Sequence, residues 1–248
     1  MVFVRRILRA AGVPVSVEVG RASGRTIPAT SGLSWFFDIP PGNGLLSEQS
    51  HRLAKRALDL ALIALTLPFS AALFVLCFVA IKLESPRDPA FFMQERTGLG
   101  GRRFRMLKFR TMVVKAEVLK GQLVHMSRLK WPDFKIDDDP RITRIGRLLR
   151  RTSLDELPQL INVLRNDMSL VGPRPTSFPV ETYEEWQKAR LSVPPGLTGI
   201  WQISGRASLE FDDRVRPDLA YIERQSLALD LQIILRTVGS VLSQDGAC

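Results

Sequence analysis

Side chains that usually announce chemistry are scarce in this chain. Among 248 residues there are two cysteines and two histidines. Cys77 lies inside an apolar run and Cys248 is the last residue given, so the pair forms no disulfide framework and fits a reducing cytosolic setting. His51 and His125 have no cysteine near them at metal-ligand spacing, which argues against a zinc site or a His-based triad. Gly98, Gly100 and Gly101 are not followed by Lys-Ser or Lys-Thr at phosphate-loop spacing. There are no internal repeats and no low-complexity tract. What is abundant is positive charge. Lys and Arg total 35 against 25 Asp and Glu, a formal net charge of +10. That excess calls for a polyanionic neighbour: anionic lipid, phosphorylated substrate or nucleic acid.

Residues 1–50 mix Gly, Pro and Ser with scattered apolar residues and read as a loosely ordered cytosolic tail. Arg5, Arg6 and Arg9 break its only apolar start, so no cleaved signal peptide is expected. Leu60 to Ile81 is a run of 22 residues without a charge, long enough for a bilayer core of about 30 Å. Pro68 sits inside it and predicts a kink. Both flanks are basic, with Arg52, Lys55 and Arg56 before it and Lys82, Arg87, Arg96, Arg102 and Arg103 after. The positive-inside rule would keep both on one side. The residues alone fit a helix that enters, breaks and returns (51–84) and equally a kinked helix that crosses.

The part after the run, 85–248, reads as a separate cytosolic domain. Arg103 to Arg110 alternates basic and apolar residues, as a half-buried strand does, with the glycines before it as a turn between two strands. Lys108 and Arg110 share one face and could hold a phosphate; a solvated face is the plain alternative. Arg141 to Arg151 is an amphipathic helix, with Ile142, Ile145, Leu148 and Leu149 forming a stripe among arginines, as an interfacial helix on an anionic leaflet needs. Asp155 and Glu156 follow as adjacent carboxylates. Ser153 to Glu156 has capping-box spacing, so the acids could simply cap a helix. Downstream, Gly172-Pro173-Arg174-Pro175 is a rigid turn presenting one arginine, the side chain suited to gripping phosphate. Residues 194–206 form a glycine-punctuated stretch around Trp201, either a loop for a nucleotide or a hairpin packing that ring. Helices are expected around Asp218 and Tyr221 and over Leu227 to Val241.

Six ordered blocks carry a family resemblance: Lys55-Arg56…Asp59…Pro68; Lys108-Phe109-Arg110-Thr111-Met112; Asp139-Pro140-Arg141-Ile142-Thr143; Thr152-Ser153-Leu154-Asp155-Glu156-Leu157-Pro158-Gln159; Asp167 to Pro175; and Pro195 to Gln202. From about His51 onward the chain resembles the bacterial sugar transferases, the monotopic polyprenyl-phosphate phosphoglycosyl transferases, in their short exopolysaccharide-initiating form. The resemblance implies an α+β, mostly helical fold: a small cytosolic catalytic domain with short strands, a re-entrant membrane helix broken at Pro68, and interfacial amphipathic helices. It places the protein in the bacterial inner membrane with its catalytic domain facing the cytoplasm. It implies transfer of a sugar-1-phosphate from a UDP-sugar to undecaprenyl or another polyprenyl phosphate, with release of UMP. Asp155 would be the nucleophile and Glu156 the Mg²⁺ ligand. Arg174, Lys108 and Arg110 would bind phosphate, and Gly196, Thr198, Trp201 and Gln202 would receive nucleotide or sugar. Asp218 falls where the family carries a further acid, read as an additional polar or metal-site contact. Membrane lipid is an expected partner, nucleic acid is not, and a homo-oligomer is left open. The rival reading is a non-catalytic membrane-anchored scaffold of a polysaccharide assembly complex, in which the acid pair only caps a helix.

Overall fold

The charge-free run becomes the middle of one long helix, α1 (Glu48–Glu84), 37 residues or roughly 55 Å at the usual rise per residue. Ser47 caps it by accepting the Ser50 N–H at 3.1 Å. In the computed structural model, the described residues are 35–36, 47–127, 136, 138–203 and 211–243. Most of the expected tail and residues 204–206 of the glycine-punctuated stretch therefore lie outside them. Within that tail, Trp35 and Phe36 pack on the domain: Phe36 is buried in its core, and the Arg236 guanidinium lies 4.0 Å from the centre of the Trp35 ring.

Helical conformation continues through Pro68, so the segment expected as helix, break, helix is a single element. Pro68 has no N–H to offer the Ala64 carbonyl, and its ring crowds that carbonyl. On either side Thr66 Oγ1 donates to the Leu62 carbonyl at 2.8 Å and Ser70 Oγ to the Leu67 carbonyl at 3.3 Å, back-bonds of the kind that bend helices. Residues 64–69 are all exposed, including Leu65, Leu67 and Phe69. The two ends of α1 are not. Lys55, Asp59 and Ile63 are buried at one end, Cys77 and Ile81 at the other.

Among the described residues, the rest is mostly helical with two small sheets. Strands β1 (Phe91–Thr97) and β2 (Arg103–Phe109) form an antiparallel hairpin running from Phe91↔Phe109 to Thr97↔Arg103. The expected glycine turn is there, with Gly100 and Gly101 at φ 61° and 84°, a region glycine occupies without strain. A short helix α2 (Ala116–Lys120) precedes the basic helix α3 (Arg144–Arg151), whose N-cap Thr143 accepts the Gly146 N–H at 3.0 Å. Next come α4 (Gln159–Leu164), β3 (Ser169–Val171), α5 (Glu185–Lys188), β4 (Gly196–Thr198), α6 (Ile200–Ile203), α7 (Phe211–Arg224) and α8 (Leu227–Ser243). The described part of 194–206 is neither a plain loop nor a hairpin. Gly196 to Thr198 is a strand pairing in parallel with β3, and Trp201 lies in the short helix after it.

Two apolar clusters hold α1. The larger gathers Ile63 with Val163, Met168, Val171, Leu219, Tyr221, Leu229 and Ile233; the smaller joins Cys77 and Ile81 to Ala90, Phe109 and Leu149. Phe74 and Phe109 extend the second, ring centres 4.9 Å apart. Both ends of the apolar helix thus pack on the same domain.

Candidate active site

The acid pair sits at a bend in the chain, not on a capped helix. Ser153 adopts φ 56°, makes no capping bond, and leads into a 3-10 turn over Leu154–Glu156. A serine in this left-handed region is strained. The capping-box reading is therefore corrected. Glu156 does not reach back to the Ser153 backbone N–H; it is drawn into a tertiary ion cluster.

That cluster is asymmetric. Lys108, on β2, places Nζ 2.8 Å from Glu156 Oε1 and 3.8 Å from Asp155 Oδ2. Arg174, on the loop after β3, grips Glu156 in a fork: Nη2 contacts Oε1, and Nη1 lies 3.1 Å from Oε2. Burial pushes Glu156 up, but the charges and hydrogen bonds of Arg174 and Lys108 outweigh it and hold the carboxyl well below the usual range. Burial pushes Asp155 up as well, and here Lys108, Arg150 and Arg174 offset it only in part, with Glu156 adding to the rise. Glu156 is locked and anionic. Asp155 is buried, adjacent and lightly held.

The two carboxylates open on a cleft of about 1020 Å³. Arg96, Lys108, Arg110, Arg141, Arg150, Arg151, Arg174 and Arg214 line it against Glu117, Asp139, Asp155 and Glu156. With cations outnumbering anions two to one, the cleft suits an anion carrying several charges. Asn162 positions one wall. Its Oδ1 accepts the Leu107 N–H at 2.9 Å and its Nδ2 donates to the Arg105 carbonyl at 2.8 Å, seating Lys108 beside the acids.

The other expected site residues fall in different places. Arg110 lines the cleft, but its guanidinium is committed to backbone, with Nε 2.6 Å from the Pro89 carbonyl and Nη1 3.1 Å from that of Met112. Trp201, Gln202 and Thr198 line the cleft, Thr198 also bonding Thr237 on α8 at 2.7 Å. Gly196 lies at the β3–β4 seam instead. A Cβ there would come within 2.1 Å of the Gly172 nitrogen, so its lack of a side chain is what lets the strands approach. Asp218 is 1% exposed and bound to Arg190 at 2.6 Å, away from the cleft. Arg96, Arg150, Asn162 and Arg190 were not among the expected site residues. Arg96 stands beside Arg174, and burial, reinforced by that like charge, lowers it to about 10. No local spacing marks any of the four.

Among the described residues no group of three or more His, Cys, Asp or Glu side chains could hold a metal. Mg²⁺ asks for less: one or two carboxylates, with water and substrate phosphates completing the shell. Asp155 and Glu156 supply hard oxygens in that number, so the residues fit the ion. Because Lys108 and Arg174 occupy both Glu156 oxygens, an incoming phosphate that draws those cations away would free Glu156 for it.

The cationic cleft around the Asp–Glu pair is built against a long helix that is apolar enough to be compatible with membrane association. The chain matches the bacterial sugar transferase family over residues 50–244. It is 46% identical over 202 residues to the galactosyl transferase CpsE of Streptococcus agalactiae, covering 80% of this chain and 44% of that protein. It is 41% identical over 246 residues to the UDP-glucose:undecaprenyl-phosphate glucose-1-phosphate transferase of Caulobacter vibrioides, covering 94% and 86%. With the exopolysaccharide production protein ExoY of Rhizobium meliloti it shares 36% identity over 224 residues, covering 88% and 98%. The chain spans less than half the length of the streptococcal relative and most of the other two. It belongs to the bacterial sugar transferase family.

Proposed function

We propose that this protein transfers a hexose-1-phosphate from a UDP-sugar to undecaprenyl phosphate, the opening step of a polysaccharide. A relative whose name states that reaction with UDP-glucose aligns with nearly the whole chain. The observation that carries the mechanism is the asymmetry of the acid pair. Asp155, with its oxygens least engaged, attacks the β-phosphorus of the UDP-sugar. The bond from that phosphorus to the bridging oxygen breaks, and UMP leaves with the electron pair. The sugar phosphate is then esterified to the Asp155 carboxyl. An oxygen of the lipid phosphate attacks the same phosphorus, the Asp155–phosphorus bond breaks, and polyprenyl-diphosphate-sugar forms. Lys108 and Arg174 neutralise charge on the transferring phosphoryl group, a role for which both are already aimed at the carboxylates. Bound through Glu156, Mg²⁺ would supply further charge neutralisation at the diphosphate. Trp201, Gln202 and Thr198, along the cleft wall, are placed to receive the nucleoside or sugar.

The packing of α1 supports a membrane disposition as well. A helix whose two ends rest on one domain, with an exposed apolar stretch around Pro68 between them, supports entry into and return from a single leaflet. The domain then stays on the cytoplasmic face of the bacterial inner membrane, as the basic flanks require. Leu148, exposed among Arg144, Arg147 and Arg151 on α3, supports contact between that helix and the lipid surface.

The test is UMP release from a panel of UDP-sugars by the detergent-solubilised protein, with undecaprenyl phosphate and Mg²⁺ each present or withheld. Release with one sugar that depends on both and disappears in Asp155→Asn is the expected result. Undiminished release by Asp155→Asn refutes the covalent route. No release from any sugar favours the scaffold.

A further inference from the structure

Arg174 serves the cleft through its side chain, while its backbone is clamped from behind. After Val171 the chain runs Gly172-Pro173-Arg174-Pro175, and the two prolines have no N–H to knit the loop together. Its carbonyls are satisfied from outside. The Gly196 N–H donates to the Pro173 carbonyl at 2.9 Å, Arg190 Nη2 to the Arg174 carbonyl at 2.7 Å, and Arg96 Nη1 to the Pro175 carbonyl at 3.4 Å. The same Arg190 nitrogen bonds Asp218 Oδ2 at 2.6 Å. Arg190 is 3% exposed and Asp218 1%, and neither lines the cleft. A guanidinium buried this deeply is tolerated only where it is paired. Here one nitrogen joins a carboxylate on α7 to the backbone of the residue that forks onto Glu156.

We propose that Asp218 and Arg190 are positioning residues that set the placement of the Arg174 guanidinium on the acid pair and its incoming phosphate. This rests on the reading of Arg174 as a phosphate-binding side chain. It moves Asp218 out of the polar or metal-site role that the family resemblance suggested. Asp218 holds Arg190, Arg190 holds the Arg174 carbonyl, and the rigid Pro173–Pro175 turn passes that constraint to the side chain. A fork that must meet two oxygens tolerates little displacement.

A merely structural ion pair would lower folding stability and act on the rate independently of Arg174. A positioning pair acts only while Arg174 has its guanidinium. The experiment is a double-mutant cycle on the full chain in detergent, with UMP release measured against UDP-sugar concentration for wild type, Arg174→Ala, Asp218→Asn and the double variant. Thermal melting of each is followed in parallel. Asp218→Asn is expected to lower kcat/KM by about tenfold or more in the wild-type background, and by less than about twofold once Arg174 is alanine. Equal losses in both backgrounds overturn the proposal. If Asp218→Asn gives no cooperative melt, Arg190→Lys, which keeps a cation beside Asp218, carries the same cycle. If wild type releases no UMP, the transferase reading falls, and the cycle is read from UDP affinity by calorimetry. Failure of wild type to bind UDP, or additive losses of affinity, then overturns the positioning role as well.

Discussion

Lys55→Met is expected to cost about 3–5 kcal/mol, the usual penalty for breaking a buried ion pair from one side. Lys55 Nζ lies 2.7 Å from Asp230 Oδ2, with side-chain exposures of 8% and 2%. Lys55 Nζ also lies 3.3 Å from the Tyr221 hydroxyl, which itself donates to Asp230 Oδ1 at 2.7 Å. Methionine matches the length of the lysine stem, so packing is kept while the charge goes. Asp230 is left with one hydrogen bond and no cation in a site that water does not reach. For a chain of this size the penalty corresponds to a fall in melting temperature of roughly 6 to 20 °C. Thermal unfolding of the detergent-solubilised protein, followed by proteolytic susceptibility, reads it directly. Adding Asp230→Asn to Lys55→Met removes the orphaned charge while keeping an acceptor for Tyr221, and more than half of the loss should return. A loss below about 1 kcal/mol, the range of solvent-exposed pairs, would refute the reasoning. It would mean that the first half of α1 does not lie against α8 in the folded protein.

Asp155→Asn and Glu156→Gln are each expected to reduce UMP release by at least about a hundredfold, with melting temperatures little changed for Asp155→Asn because that carboxylate carries the weaker pairing. Gly196→Ala should destabilise by about 1–3 kcal/mol, since the new methyl would meet backbone at Gly172 from 2.1 Å; an unchanged melt would show that β3 and β4 part easily. Arg141 holds Asp139 below its usual range through a paired hydrogen bond of 2.8 and 2.5 Å, with burial opposing. The depressed value means stability that is fully present above the unfolded-state value and is lost as pH falls through the folded one. Asp139→Asn should therefore flatten the acid limb of the stability curve, and an identical acid limb in the variant would rule the pair out as its source.

Local patterns were legible where local physics decides. A charge-free run gave α1, the alternation from Arg103 to Arg110 gave β2, and the apolar stripe among arginines gave α3. The spacing from Ser153 to Glu156 misled because a capping box describes only four residues. Lys108 lies 48 positions upstream of Glu156 and Arg174 18 positions downstream, and their combined pull outweighs a backbone cap. Residues 194–206 were ambiguous for a related reason: β4 pairs in parallel with β3, and no turn signal announces a parallel neighbour. Lys108 and Arg110 share a face by strand period. Arg110 lies just past the end of β2, where free carbonyls at Pro89 and Met112 capture it. Asp218 was singled out as an acid, but its partner is Arg190, whose sequence surroundings carry no motif.

Helix α1 and the site are tied through both cationic walls of the cleft. Asp59, in the first half of α1, accepts the Leu170 N–H at 3.2 Å, four positions before Arg174. Arg56 donates to the Val163 and Leu164 carbonyls at 2.5 and 2.9 Å, at the end of the helix that follows the acid pair. The second half packs Cys77 and Ile81 against Phe109 and Leu149, the immediate neighbours of Lys108 and Arg150. Each half of the helix therefore holds a different wall, so a shift of α1 would move both walls together. On the mechanism proposed above, a soluble nucleotide-sugar and a lipid phosphate share one nucleophile, which must then be held at the level of the lipid headgroups. Buried polar contacts on α1, costly in any helix meant only to anchor, make sense as the means of holding it there.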